Sequence, residues 1–179
     1  MKDLDAVLAA FDGKHKEPLE AFAARQVPTA PVVRALIAVA DAPDERQQSG
    51  TTWLLKHYAE DGLAFSARQT ARLLALLAQV THWEAKLHLL QIFPSLTIPK
   101  PEAPALFTLL RGPGYLGDAN KFVRAWTYNA LAELAAQHPA KRAEVQALLA
   151  RGEDDAAASV RARLRRIRKA HAWAGAGDV

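Results

Sequence analysis

The chain has 179 residues, of which 50% are apolar and only 7% aromatic, and carries a net charge of +4. That length suits one domain with a sizeable core, and an Ala- and Leu-rich composition suits close-packed helices. The absence of cysteine excludes disulfides, thiolate metal sites and cysteine nucleophiles together.

The N-terminal stretch Met-Lys-Asp-Leu-Asp carries acids where a secretory signal needs a basic region and then an apolar one. No apolar run approaches the roughly 18 residues of a membrane span. A cytoplasmic protein is expected.

Helical periodicity, punctuated by Pro and Gly, runs from end to end, and strand signals are nearly absent. Leu4, Val7, Leu8 and Phe11 follow the i, i+3, i+4, i+7 pattern, and Gly13 ends that helix. A short helix over 18–26 stops before Pro28. The rest pairs into hairpins: 29–40 with 45–60, 66–80 with 82–93, 101–111 with 119–137, and 141–150 with 156–173. The expectation is one all-α domain over 1–179. It has N-terminal helices over 1–27, repeats at 28–62, 63–99, 100–139 and 140–173, and a frayed tail over 174–179.

One phrase is written twice. Asp118, Val123, Arg124 and Ala125 recur as Asp155, Val160, Arg161 and Ala162, each 37 residues after its counterpart. Self-similarity at such a period is the mark of an α-solenoid, in which each unit covers the apolar face its neighbour cannot bury alone. The Asp-x-x-x-x-Val-Arg pattern followed by Ala-Leu-x-x-Leu, running from Asp118 to Leu134, resembles the second helix of a HEAT repeat. The resemblance is good over 118–170, moderate over 51–99, where Trp53 to Lys56 and Trp83 to Lys86 stand in the Val-Arg region, and weak before residue 50. It implies a right-handed α-α superhelix of about four stacked hairpins, with the second helices on the concave face. It also implies a ladder of Asp and Arg between repeats, here Asp118, Arg124, Asp155 and Arg161. A related armadillo-like or DNA-alkylation-repair-like array is left open by the uneven repeat spacing.

Candidate binding residues come from the second helices. Trp53, Trp83 and Trp126 lie there with Lys86 and Arg124 close by, and His57 and Tyr128 share the same helices. Aromatics interleaved with cations could grip an acidic or aromatic peptide or stack nucleobases. The competing structural reading has them filling seams between Ala-rich helices. Helical angles set Trp53 and Trp83 to pack with Leu87 and Leu90, and leave Trp126 at the edge of its apolar stripe, where exposure on the concave face is expected.

The basic excess is local. Residues 156–171 hold Arg161, Arg163, Arg165, Arg166, Arg168 and Lys169 with no acid, and the rest of the chain nets −2. Val160, Leu164 and Ile167 form the only apolar stripe there, and Arg163 and Arg166 are expected to face away from it. Such a helix reads as a polar cap on a solenoid, or as a site for an anionic partner.

Catalytic constellations are missing. Gly112, Gly114 and Gly117 match G-x-G-x-x-G, but after a helix and around Pro113, so a flexible loop is expected rather than a dinucleotide site. The histidines lack metal-ligand spacing. The catalytic Asp of the HEAT-like DNA-alkylation-repair proteins has no counterpart in a second helix. The expected function is a non-catalytic module binding a protein or peptide, without cofactor or metal. Nucleic-acid binding is the alternative.

Overall fold

A computed structural model describes residues 2–175, and these are helices and turns with no strand. Eleven α-helices follow one another: α1 (Lys2–Ala10), α2 (Glu17–Arg25), α3 (Ala30–Ala40), α4 (Glu45–Glu60), α5 (Ala67–Leu76), α6 (Trp83–Ile92), α7 (Ala103–Leu110), α8 (Lys121–Gln137), α9 (Arg142–Gly152), α10 (Ala158–Ala170) and α11 (Ala172–Gly175). Short 3-10 turns follow α6 and precede α9. None of these helices is long and apolar enough to cross a membrane. The chain divides into two compact units, Met1–Leu96 and Thr97–Val179.

In the first unit α3 packs on α4 and on α5, and α4 packs along α6, while α1 and α2 lie against α4. Asp44 caps α4 through the Gln47 N–H, and Ser66 and Gln69 form a reciprocal capping box at α5. The α1 stripe closes on α4: Leu4, Leu8 and Phe11 are buried. Gly50 of α4 leaves room for them, since a Cβ there would stand 3.0 Å from both Leu8 and Phe11. Helix α5 ends at Leu76, earlier than its sequence pattern suggests. The N–H groups of Ala78 and Gln79 bond to carbonyls three residues back, which tightens the last turn and ends the α-helix.

In the second unit α8 packs along α10, flanked by α7 and α9. Asn120 caps α8, accepting from the Phe122 and Val123 N–H groups. The Gly112–Gly117 segment is a closed turn and not a loose loop. Leu116 N–H returns to the Leu110 carbonyl, Gly117 N–H to that of Gly112, and the Tyr115 ring is buried. The final helix is broken where an unbroken one was expected. α10 stops at His171, whose side chain meets Glu133 at 3.2 Å. The chain then turns onto α9, where Gln146 donates to the Trp173 carbonyl and the Arg142 guanidinium lies 5.6 Å from the Trp173 ring centroid. Of the tail read as frayed, Ala174 and Gly175 belong to α11, and 176–179 lie outside the described residues.

The α8–α9–α10 junction allows no extra atoms. A Cβ on Gly152 would sit 2.7 Å from Tyr128 Cζ and 3.0 Å from a Leu164 methyl. Gly152→Ala is therefore expected to lower stability by about 1–3 kcal/mol in urea unfolding, through overpacking against the Tyr128 ring and Leu164. Unchanged stability would show that the ring has room to move.

Candidate functional site

Unit 1 carries its candidate side chains on α4 and α6. Trp53 and His57, one turn apart, stack nearly parallel, with ring centroids 5.0 Å apart and an 8° interplanar angle. The Lys56 ammonium stands 5.6 Å from the Trp53 ring centroid while pairing with Glu60 at 2.8 Å. His57 Nε2 lies 3.5 Å from Asp61. Trp53 is half-buried, but Trp83 is 39% exposed. The expectation that Trp83 packs inward with Leu87 and Leu90 is corrected. As the first residue of α6, after a loop, it lies at the helix end, and the residues α6 buries are Ala85, His88, Leu89, Leu90 and Ile92. Lys86, one turn on, is half-buried.

Beneath that face lies a polar interior that sequence reasoning missed. Gln48, Ser49, Thr51 and Thr52 of α4 are all buried. Gln48 donates to the Ala42 carbonyl at 2.9 Å, and its side-chain oxygen takes the Thr81 and His82 N–H groups, so it pins the loop before α6. Ser49 Oγ donates to Glu84 at 2.6 Å, and Lys16 reaches the same carboxylate at 3.6 Å while lying 4.7 Å from the Phe11 ring centroid. Thr52 Oγ1 and His88 Nδ1 are 3.1 Å apart. Burial pushes the His88 pKa down to about 3, helped by Lys16 and Lys56, so the ring is neutral at physiological pH. Gln48, Ser49, Thr52 and His88 each meet a partner outside their own helix, and Thr51 bonds back to the Gln47 carbonyl, which makes the cluster a set of ties and not a reactive centre. The available signal was a polar run, Gln47 to Thr52, inside a helix whose packing partners α3 and α6 bury mainly Val, Leu and Ile.

Unit 2 holds the repeated phrase, and the two copies have the same local geometry. Asp118 Oδ1 accepts from the Asn120 N–H, and Asp155 Oδ1 from the Ala157 N–H, both at 2.8 Å. Arg124 Nη1 donates to the Asp118 carbonyl at 2.9 Å, and Arg161 Nη1 to the Asp155 carbonyl at 2.6 Å. The rest of the Arg124 fork takes the next Asp: Nε to Asp155 Oδ2 at 2.8 Å and Nη2 to Oδ1 at 3.0 Å. Each Asp therefore leads into its helix two residues before the cap. Hydrogen bonding to Arg124 holds the Asp155 carboxyl below the usual range, and the same bond raises Arg124. These two arginines and two aspartates are tied into the backbone of the loops.

The aromatic pair of α8 divides. Tyr128 is buried with its ring against Gly152, so its reading as a binding-face residue is corrected: it fills the α8–α9–α10 junction. Trp126 is half-buried, and the Arg163 guanidinium lies over it, 3.7 Å from the ring centroid. That corrects Arg163 as well. It does not face away from the apolar stripe. Standing three residues after Val160 and four before Ile167, it borders the stripe on the α8 side, where Trp126 desolvates it and its pKa falls. Arg165, Arg166 and Lys169 are the exposed cations of α10, and Arg168 pairs with Glu153.

Register explains this distribution. Adding 37 to Ala125, Tyr128, Leu131 and Ala132, all buried in α8, gives Ala162, Arg165, Arg168 and Lys169 in α10. One face that α8 buries is thus largely cationic in α10, while Val123, Thr127 and Ala130 map onto the buried Val160, Leu164 and Ile167.

Among the described residues no group of three His, Asp or Glu side chains could hold a metal ion. Comparison with protein-family models, curated proteins and solved structures finds no match to this chain.

The His88 environment sets a pH dependence. Its folded pKa is depressed below the ordinary value of about 6.5, so the unfolded chain binds the proton first. Stability from this site is complete above about pH 6.5 and is lost as pH falls toward about 3. Urea midpoints measured across that range should drop in wild type and drop less steeply in His88→Gln. Parallel curves would show that the ring is solvated.

Proposed function

We propose that this chain is a HEAT-like α-solenoid and a non-catalytic binding module. Its second helices present a face to a protein or peptide. The reading is supported within each unit by hairpin partners, α3 with α4 and α9 with α10, and by second helices packed side by side, α4 along α6 and α8 along α10. It is also supported by the recurrence of the Asp–Arg geometry in two successive loops. The polar face of α10, in the register that α8 buries, suits the last helix of an array.

The observation that carries the functional reading is Trp83. An indole 39% exposed on α6, with Lys86 on the same helix, is the kind of aromatic anchor on which interface energy concentrates. The stacked Trp53–His57 pair, with Lys56 beside it, offers a second rigid aromatic surface on α4. A ligand segment pairing an apolar side chain with acids suits this combination.

The nucleic-acid reading draws on a different observation, the exposed Arg165, Arg166 and Lys169 of α10. Capping accounts for those residues without a ligand, whereas nothing in the packing of α6 calls for an exposed indole.

A photo-crosslinking amino acid placed at Trp83 in the full chain, in living cells, tests the reading. A discrete protein adduct is expected at Trp83, reduced several-fold by Lys86→Glu and absent when the probe stands at Arg151 on α9. No adduct at Trp83, together with duplex binding that falls steeply with salt and is abolished by Arg165→Glu and Arg166→Glu, would favour nucleic acid instead.

A further inference from the structure

On a different part of the first unit, one groove gathers arginines with almost no carboxylate. It lies between α3 and the first turns of α5, encloses roughly 290 Å³, and is lined by Arg34, Ile37 and Ala38 on one side and by Arg68 and Arg72 on the other. Neither helix contains an Asp or Glu. Arg34 and Arg68 are exposed and have no hydrogen-bond or ion-pair partner among the described residues. Arg72 has only Asp41, at 3.4 Å across an exposed gap.

The clustering does not follow from the charge of the unit or from the needs of the helices. Residues 1–96 hold ten Lys and Arg against eleven Asp and Glu, a net −1, yet three of those ten cations share one groove. Arg68 is the second residue of α5, in a turn where the helix dipole favours anions and disfavours a cation. Neither its own helix nor the Arg34, Ile37 and Ala38 side chains across the groove account for a cation there.

We propose that this groove binds an acidic amphipathic segment of a partner protein. The partner's carboxylates pair with the guanidinium forks of Arg34 and Arg68, a geometry that favours two-point contact. An apolar side chain of the segment rests on the floor made by Ile37 and Ala38. Charge complementarity selects a short acidic peptide over nucleic acid. The arginines line one groove and not a track, no aromatic ring lines it for base stacking, and a polyanion running past it would meet a unit of net negative charge. The site is separate from the α4–α6 aromatic face and stands or falls independently of it.

The test uses the full chain and fluorescence anisotropy with a labelled helical peptide of Glu, Leu and Ala. Its Glu-to-Gln counterpart and a labelled DNA duplex serve as comparisons. The acidic peptide is expected to bind and the Gln peptide to bind at least about tenfold more weakly. Arg34→Gln and Arg68→Gln should each weaken binding by about fivefold, in line with partly exposed charge pairs, and the double variant by more than tenfold. Both side chains are exposed, so circular dichroism and melting should match wild type. Arg166→Gln, in the second unit, should leave peptide binding intact. The proposal is overturned by absence of acidic-peptide binding, or by equal binding of the two peptides. Unchanged binding in the double variant overturns it too, as does loss of binding in Arg166→Gln. It also fails if duplex is the probe whose affinity depends on Arg34 and Arg68.

Discussion

Four donor contacts from one guanidinium hold the best-defined part of this protein together. Arg124 gives Nη1 to the carbonyls of Asp118 and Ala119 in its own loop, and Nε and Nη2 to the carboxylate of Asp155 in the next. One side chain thereby fixes two loops and the helices they lead into. A planar fork suits this task, because its donors are prearranged and an ammonium could not span the same set of acceptors. Both partners are largely shielded, with side chains 20% and 14% exposed, so the pair is less screened than an ordinary surface bridge. Once α8 and α10 are held in register, the rest of the junction follows. Tyr128 is seated against Gly152, Arg163 lies over Trp126, and the apolar stripe of α10 closes on α8.

The first unit solves the same packing problem with polar ties instead of a charged rung. Gln48 holds the loop before α6, Ser49 takes Glu84, and Thr52 meets His88 across the α4–α6 seam. Thr51 and Thr52 also return their hydroxyls to carbonyls one turn back, at 2.5 and 2.6 Å, so no buried hydroxyl is wasted on the helix interior. These ties are directional, and they explain how a helix as polar as α4 can bury half of its residues. They leave the outward side of α4 and α6 free for Trp53, His57 and Trp83.

The helical class and most boundaries were legible, because Ala- and Leu-rich periodicity and Pro and Gly punctuation act locally; α4 spans 45–60 as read. The Asp–Arg geometry was legible for the same reason: a phrase repeated in register folds twice into the same turn. Other features depend on contacts between elements and left weaker traces. Tyr128 and Trp126 are two residues apart on one helix, and it takes the packing of Gly152 on one and Arg163 on the other to set how far each ring is enclosed. The break at His171 lacks a Pro or Gly signal, since it arises from Glu133, Gln146 and Arg142 drawing the chain onto α9. The arginine groove was invisible because its halves lie 30 residues or more apart on two helices whose charges look scattered in the sequence.

The Arg124–Asp155 rung is the claim on which the packing argument for the second unit depends most. A double-mutant cycle of Arg124→Ala, Asp155→Ala and the pair, read by urea unfolding at neutral pH, measures it directly. The account predicts a coupling energy of about 1.5–3 kcal/mol, the range for hydrogen bonds to charged groups. It also predicts that the coupling vanishes once pH falls below the lowered pKa of Asp155. A coupling within about 0.5 kcal/mol of zero at neutral pH would contradict it, because additivity at that level marks independent sites.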